Sequence, residues 1–150
     1  MSRETQRGEP VPAPLFNLPM TLASGQVFHW QPDGNGFVGV IDDRPVRVEQ
    51  QGDCLWITPN DAGTRELVCR YFALDHPLDA IYATFPDDPV MQEALAFCRG
   101  LRLISQPLWE CTATFITSAM KQVKHISQIS HTLRRRFGNP VTAPWSGQTL

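Results

Sequence analysis

The residues whose types and spacing best suit ligand binding lie in one stretch, residues 107–138. This stretch is predicted to form two helices joined by a short polar junction from Ser118 to Gln122. Residues 101–150 contain six Lys and Arg residues and one acid, a balance of +5, whereas residues 1–100 contain seven basic and fourteen acidic residues, a balance of −7. A nearly neutral chain that separates its charge in this way presents one basic face. The stretch therefore predicts a phosphate-binding surface.

The second helix of this stretch carries most of the basic side chains. Thr117 and Ser118 precede it and are candidates to cap it and to donate to a phosphate. A solvated basic face without a ligand explains the same spacing, and three consecutive arginines near a helix C-terminus also complement its dipole. Helical periodicity predicts an inner stripe of Val123, Ile126, Ile129, Ser130, Leu133 and Phe137 and an outer stripe of Lys121, Lys124, Gln128 and Arg135.

Other chemistries have little support in the sequence. The nucleophile, phosphate-loop and dinucleotide motifs GxSxG, HExxH, GxxxxGK[ST] and GxGxxG do not occur. Cys111 and His125 are a conceivable thiol–imidazole pair, but Cys111 lies on an apolar helix face. The spacing of the Cys and His residues suits no metal site, so we predict no metal and no cofactor. Cys69, Cys98 and Cys111 are predicted to be buried thiols.

A run of strands must position the second half of the chain. Strands are predicted over residues 27–31, 37–41, 45–50 and 54–58, joined by tight turns as in an antiparallel meander. In the third of these, Val46 and Val48 alternate with Arg47 and Glu49, so one face is apolar and the other charged. Residues 1–13 are predicted to be a disordered tail, and residues 15–20 an extended edge segment.

The hydrophobic period changes to a helical one after Asp61. A stripe of Leu67, Tyr71 and Leu74 predicts a first helix, and Pro77 opens a second short one. Asp88 is predicted to cap a third helix over residues 90–98, which Gly100 ends. Four or five strands followed by five helices predict an α+β fold. No apolar run is long enough to span a membrane and the first residues form no signal peptide, so we expect a cytoplasmic location.

One glycine also stands out, in the segment SGQVFHW at residues 24–30. Gly25 directly precedes a predicted strand, and a residue without a Cβ lets the backbone approach another group closely. A glycine required only by a loop or bulge is the alternative interpretation.

Four segments together resemble the 8-oxoguanine DNA glycosylases of the helix–hairpin–helix superfamily. They are SGQVFHW at residues 24–30, CRYFALDHPLDAIY at 69–82, GLRLISQPLWECTATFITS at 100–118 and the pattern IxxISxxLRRRFG at 126–138. Each motif is weak alone, but the four occur in the family's order. The resemblance covers about residues 15–140.

The resemblance implies a fold and a division of the chain. It implies an antiparallel sheet of four to five strands with flanking helices over residues 14–113, similar to half of a TATA-binding-protein sheet. The first helices of an all-α glycosylase domain then occupy residues 114–150. In the family, the glycine matched by Gly25 accepts a hydrogen bond from N7–H of 8-oxoguanine, a hydrogen that guanine lacks.

The resemblance also implies which residues meet DNA. The matched positions at the junction are Ser118, Met120, Lys121, Gln122, Lys124 and His125. The family usually has two asparagines where this chain has Met120 and Lys121, and an arginine where it has His125. Met120 can wedge into a base stack but cannot hydrogen-bond as asparagine does, which affects how the opposite base is read.

The resemblance implies base-excision repair as the function. The expected activity is removal of 8-oxoguanine from duplex DNA by a DNA N-glycosylase with associated AP lyase activity. The family's catalytic lysine and aspartate follow the region matched here, so no catalytic residue is predicted in these 150 residues. The expected partner is double-stranded DNA containing oxidised guanine, bound by a monomer in the bacterial nucleoid or a eukaryotic nucleus. A non-catalytic DNA-binding module that keeps the sheet and the basic helix is the alternative.

Overall fold

The chain builds an antiparallel sheet followed by helices. A computed structural model describes residues 9–119 and 122–150. Within these residues the sheet has five strands in the order β1-β5-β4-β3-β2, with every neighbouring pair antiparallel. The predicted meander and the α+β fold are therefore confirmed. The strands are β1 Val11–Pro12, β2 Gln31–Asp33, β3 Gly36–Ile41, β4 Arg44–Gln51 and β5 Cys54–Thr58.

The strand that we predicted over residues 27–31 is wrong for all but its last residue. β2 begins at Gln31, and residues 27–30 form an irregular segment in which Val27 and His29 are nevertheless buried. Alternating burial without strand pairing explains the error. The preceding residue, Gln26, hydrogen-bonds to Ile104 and Gln106 and not to a neighbouring strand.

The predicted edge segment over residues 15–20 is also wrong, because helix α1 occupies Leu18–Ala23. Asn17 caps this helix, and its side chain accepts a hydrogen bond from the backbone N–H of Met20 at 3.0 Å. Pro19 lies in the first turn, where a helix needs no N–H donor. Pro19 is compatible with an edge strand, as predicted, but after the Asn17 cap it fits the first turn of a helix.

The predicted disordered tail does not extend through residue 13. Val11 pairs with Leu55 in β1, and the N–H of Ala13 donates to the Asp53 carbonyl at 2.7 Å. Both Val11 and Ala13 are buried. Residues 11–13 therefore belong to the folded unit.

Five further helices follow the sheet in the described part of the chain. Asp61 and Asp88 cap the first and third of them through their carboxylates, as predicted for Asp88. Gly100 lies three residues beyond the third helix with φ +85°, where an added Cβ would approach the Asn17 backbone nitrogen to 3.0 Å. The helices are α2 Ala62–Tyr71, α3 Leu78–Tyr82, α4 Pro89–Phe97, α5 Leu108–Ser118 and α6 Val123–Phe137.

The core lies between one face of the sheet, α1 and α2. Tyr71 and Phe72 at the end of α2 are fully buried, and their rings pack edge-to-face at 5.0 Å. Trp30 packs against both rings and lies across Gly39 of β3, where a Cβ would meet the indole ring at 2.6 Å. The sheet contributes apolar side chains that include Ile41, Val46, Val48, Leu55 and Ile57.

The predicted inner stripe of α6 is only partly realised. Ile126 and Ser130 are buried, whereas Val123, Leu133 and Phe137 are exposed. Helix α5 likewise has no buried residue. Cys111 is exposed on α5, so the prediction of a buried thiol is wrong there, while Cys69 and Cys98 are half-buried. No helix in the described residues is both long and apolar enough to cross a membrane.

Candidate functional site

Gly25 forms the turn that follows α1. Ser24 is the C-cap of this helix and its hydroxyl donates to the Thr21 carbonyl at 2.7 Å. Gly25 then has φ +84°, a left-handed conformation that disfavours any residue with a Cβ. Apart from its two chain neighbours, no atom of the described residues lies within 4 Å of the position that a Cβ would take, so space is open beside this turn. Its carbonyl accepts no hydrogen bond from the described residues, which leaves an acceptor available for a ligand.

The next residue, Gln26, fixes this turn to a distant segment. Its side-chain NH₂ donates to the Ser24 hydroxyl at 2.9 Å and to the Arg102 carbonyl at 3.0 Å. Its side-chain oxygen accepts from the Ile104 N–H at 2.9 Å. Gln106 completes the clamp by donating from its amide to the Gln26 backbone carbonyl at 2.9 Å. The backbone that presents the Gly25 carbonyl is therefore held in place.

Arg102 anchors the segment that holds Gln26. It is only 5% exposed, and its guanidinium donates to the carbonyls of Ala73 at 2.5 Å, His76 at 3.1 Å and Pro14 at 3.2 Å. Burial lowers the pKa of Arg102 from its ordinary value. Three carbonyls from two separate segments accept from its two terminal nitrogens in place of a carboxylate, while its buried Nε has no partner among the described residues. These bonds tie the segment at 102–106 to the end of α2.

A polar cluster connects the sheet to α5 and α6. The Arg134 guanidinium lies 3.4 Å from the Glu110 carboxylate, joining the two helices. Burial raises the pKa of Glu110, and the nearby Arg134 opposes that shift. On the sheet side, His29 is buried, and desolvation together with Arg134 lowers its pKa to about 3. His29 is therefore neutral at physiological pH.

A cavity of about 650 Å³ lies beside this cluster. One wall is the turn between β3 and β4 with Asp42 and Asp43, and the other includes Arg134 and Arg135 of α6. Because carboxylates face guanidinium groups here, the cavity is not uniformly positive. Arg134 and Arg135, which line this cavity together with Asp42 and Asp43, are therefore a poorer phosphate site than the N-terminus of α6.

The junction between α5 and α6 presents the predicted DNA-binding residues at a helix N-terminus. Gln122 is the N-cap of α6 and makes no side-chain capping bond, and Lys124 and His125 follow in the first turn. All three are exposed. Free backbone N–H groups and a lysine at a helix N-terminus suit an anion. Met120 and Lys121, which were also predicted to bind DNA, lie outside the described residues.

Ser118 and Thr117 do not have the predicted capping role. Both belong to α5, where the Ser118 hydroxyl donates to the Phe115 carbonyl at 2.8 Å and the Thr117 hydroxyl to the Ala113 carbonyl at 3.0 Å. Because their hydroxyls are bonded within their own helix, they do not cap α6. Ser118 still borders the junction as the last residue of α5.

Similarity to known proteins identifies the family. A family model described as the N-terminal domain of 8-oxoguanine DNA glycosylase matches residues 10–112. The chain belongs to this family. The sheet, helices α1 to α4 and the motif that contains Gly25 and Gln26 lie within the residues matched to this N-terminal domain.

Solved structures agree with this assignment. MBOgg1 in complex with a low-affinity DNA ligand is 32% identical over 95% of this chain and 48% of its own, with a TM-score of 0.82. The 8-oxoguanine glycosylase/lyase of Clostridium acetobutylicum, bound to duplex DNA with cytosine opposite 8-oxoguanine, shares the fold at 19% identity over 96% of this chain and 53% of its own, with a TM-score of 0.80. Its apo form has a TM-score of 0.78 at 19% identity over 96% of this chain and 54% of its own. The chain spans about half the length of these structures.

The structure joins some of the motif residues and leaves others apart. It connects Gly25, through Gln26, to Arg102 and Gln106, so two of the sequence motifs form one hydrogen-bonded unit. No hydrogen bond among the described residues connects Gly25 to Ser118, Gln122, Lys124 or His125. Sequence reasoning overlooked the clamp role of Gln26. The available signal was a pair of glutamines, Gln26 and Gln106, in two motifs.

Proposed function

We propose that this chain forms the damage-reading part of a DNA glycosylase that removes 8-oxoguanine from duplex DNA and has associated AP lyase activity. Membership of the family supports the class of enzyme. The observation that carries the proposal is the Gly25 turn, with a carbonyl that is unpaired within the described residues and held by the Gln26 clamp. An acceptor fixed in this way pairs with N7–H of 8-oxoguanine and repels the lone pair on N7 of guanine.

The junction between α5 and α6 is the proposed contact with DNA. Gln122, Lys124 and His125 are exposed at the N-terminus of α6, in the half of the chain with excess positive charge. Phosphate contacts of this kind position a duplex without reading its sequence. An enzyme of this class extrudes the damaged base and reads it in a pocket. In this chain the junction would hold the duplex while the Gly25 turn reads the base.

No residue of this chain is assigned as the nucleophile. By resemblance, the lysine that attacks the sugar and the aspartate that supports it belong to a helix–hairpin–helix region that follows the part matched here. The roles assigned to this chain are therefore binding, positioning and discrimination of the damaged base.

The test separates reading of the damage from general DNA binding. In the complete protein, Gly25→Ala should lower excision of 8-oxoguanine at least about tenfold while binding to undamaged duplex stays within about twofold. Both the strain at φ +84° and the added Cβ disturb the carbonyl. Gly52→Ala, also at positive φ but in the β4–β5 turn, is the matched control for backbone strain.

Two results would contradict the proposed function. Equal loss in Gly25→Ala and Gly52→Ala would assign Gly25 a purely structural role. Binding to damaged duplex that falls steeply with salt, with no excision by the complete protein, would favour the non-catalytic DNA-binding module instead.

A further inference from the structure

We propose that Gln26 and Gln106 determine specificity as positioning residues, because they prevent the peptide group between Gly25 and Gln26 from flipping. This group, called here the reading peptide, consists of the Gly25 carbonyl and the Gln26 N–H. The inference rests on the proposed function, in which that carbonyl reads the base. It goes further by assigning the choice between 8-oxoguanine and guanine to two side chains that act through the backbone.

The reading peptide has no restraint of its own. Neither its carbonyl nor its N–H makes a hydrogen bond within the described residues. Gly25 has φ +84°, and a residue without a Cβ offers little resistance to rotation of the peptide that follows it. The glycine that leaves space for a base therefore also leaves the direction of its carbonyl undetermined. The restraint must come from the other end of the peptide, at Gln26.

The Gln26 side chain is paired with a distant backbone as a peptide group would be. Its amide oxygen accepts from the Ile104 N–H at 2.9 Å, and its NH₂ donates to the Arg102 carbonyl at 3.0 Å. These are the two groups that a neighbouring strand would use. The second amide hydrogen is directed to the Ser24 hydroxyl at 2.9 Å. Glutamate has the same size but lacks both donors, so this pairing requires an amide.

Gln106 holds the backbone of Gln26 from the same strip. Residues 102, 104 and 106 alternate with exposed neighbours, so they project to one side of an extended segment. The first two are buried, and the Arg102 N–H also donates to the Thr21 hydroxyl at 3.3 Å. This fixes the strip, and the Gln106 amide then donates to the Gln26 carbonyl at 2.9 Å. Gln26 is thus held by both its side chain and its carbonyl.

The clamp blocks both routes by which the reading peptide could flip. Rotation about the Gly25 backbone alone would swing Gln26 away from all of its partners. A local flip with Gln26 held in place would force this residue to a positive φ, which it does not have in the structure. That conformation is unfavourable for a residue with a Cβ. When the clamp is removed, Gln26 can turn together with the peptide.

A flipped reading peptide would invert the preference for the base. The carbonyl accepts from N7–H of 8-oxoguanine and repels the N7 lone pair of guanine. An N–H in the same place would repel N7–H and donate to the lone pair. Loosening the clamp should therefore weaken binding of the oxidised base and strengthen binding of a base with a lone pair at N7. General loss of stability does not produce changes of opposite sign.

The experiment measures the Kd of the complete protein for two labelled duplexes by fluorescence anisotropy. One contains 8-oxoguanine and the other contains 8-methoxyguanine, which keeps an oxygen on C8 but has a lone pair at N7. Both bases are attached to 2′-fluorinated sugars, because fluorine destabilises positive charge on the sugar and so prevents excision. The unchanged protein should prefer 8-oxoguanine, and the ratio of the two Kd values is the quantity compared.

Variants that remove the donors should lower this ratio. Gln106→Met keeps the length of the side chain and should weaken binding of 8-oxoguanine about fivefold while tightening binding of 8-methoxyguanine about twofold. Gln26→Met should lower the ratio at least as much. The double variant should lower it by less than the product of the two single effects, because both glutamines hold the same peptide.

Gln50→Met is the matched control. The Gln50 side chain also bonds to three backbone groups, those of Phe16, Leu18 and Gly52, and none of them belongs to the reading peptide. Its loss should lower the melting temperature and leave the ratio of the two Kd values within about twofold of the unchanged protein. Thermal melts of all variants separate loss of stability from loss of discrimination.

Three results would overturn the proposal. Equal weakening of both duplexes by Gln26→Met and Gln106→Met would make the glutamines purely structural, and reading by the Gly25 carbonyl would still stand. A lower ratio in Gln50→Met of the same size would trace the effect to general destabilisation. Equal affinity of the unchanged protein for the two duplexes would instead contradict the proposed function, and the positioning role would fail with it.

Discussion

The sheet unit, which consists of the five strands with α1 and α2, differs from the α5–α6 pair in how much apolar surface it buries and in which charged groups it buries. The sheet unit encloses a continuous core around Tyr71 and Phe72, and it also buries Arg102 with three carbonyl partners. The helix pair buries Ile126 and Ser130 and exposes Phe115. The sheet unit is therefore stabilised by its own core. Helices α5 and α6 offer apolar surface to further packing.

The largest effect expected from this difference concerns two phenylalanines. Phe72→Ala should destabilise the protein by about 3–5 kcal/mol, because it leaves a cavity in a closed core. Phe115→Ala, at a side chain that is 77% exposed, should change the free energy of unfolding by less than about 0.5 kcal/mol. Urea denaturation of both variants provides the measurement. Equal losses would mean that α5 is as well packed as the sheet unit.

A second comparison tests the buried cation of the sheet unit. Arg102→Ala should cost about 3 kcal/mol, because the carbonyls of Ala73, His76 and Pro14 lose their donor. Arg99→Ala, at an exposed arginine three residues earlier, is the control and should cost under about 0.5 kcal/mol. Thermal melts distinguish the two. If Arg102→Ala left the free energy of unfolding unchanged, water would have to satisfy those carbonyls.

The sequence predicted well where local chemistry decides the structure. Alternation in Val46 and Val48 predicted β4, and the carboxylate of Asp88 predicted the start of α4. It failed at residues 27–30 because these residues alternate in burial without pairing with a strand, and the adjacent Gln26 bonds to Ile104, 78 residues away. No local period reports such a bond.

For the functional site too, local motifs could be predicted from the sequence and long-range contacts could not. The motifs around Gly25 and the junction were recognisable from the sequence. The role of Gln26 and the buried position of Arg102 required the fold, since both act across long separations. The prediction that the inner stripe of α6 is buried was only partly correct, for a related reason. Periodicity predicts which face is apolar, but the packing partner determines whether that face is buried.

Acid should weaken the contact between the two regions through His29. Its pKa falls from 6.5 to about 3 because of burial and of the neighbouring Arg134 and His131, opposed by a hydrogen bond to the Val40 backbone. Between these values the unfolded chain binds more protons, so stability is lost as pH falls below 6.5. The loss at pH 5 should be about 2 kcal/mol.

Denaturation at pH 7 and pH 5 tests this effect of His29. His29→Gln should remove this part of the pH dependence, whereas His76→Gln, at an exposed histidine, should retain it. An unchanged pH dependence in His29→Gln would place the acid sensitivity elsewhere in the chain.

Glu110 should have the smallest effect on stability of the residues compared here. Its pH dependence should have the opposite sign to that of His29. Burial raises its pKa above the ordinary 4.5, although Arg134 lies 3.4 Å away. For a carboxyl with a raised pKa, the folded state binds protons more tightly, so stability falls as pH rises above 4.5 through that pKa. Glu110→Gln should therefore leave stability at pH 7 within about 1 kcal/mol of the unchanged protein and flatten this slope.

Glu66→Gln, at an exposed glutamate of α2, is the control for loss of a carboxylate. A loss above about 2 kcal/mol in Glu110→Gln alone would make the ion pair a real source of stability for α5 and α6. A small change would mean that attraction between Glu110 and Arg134 does little more than offset their desolvation. The pair would then align the two helices, and their stability would depend on what packs against their exposed apolar faces.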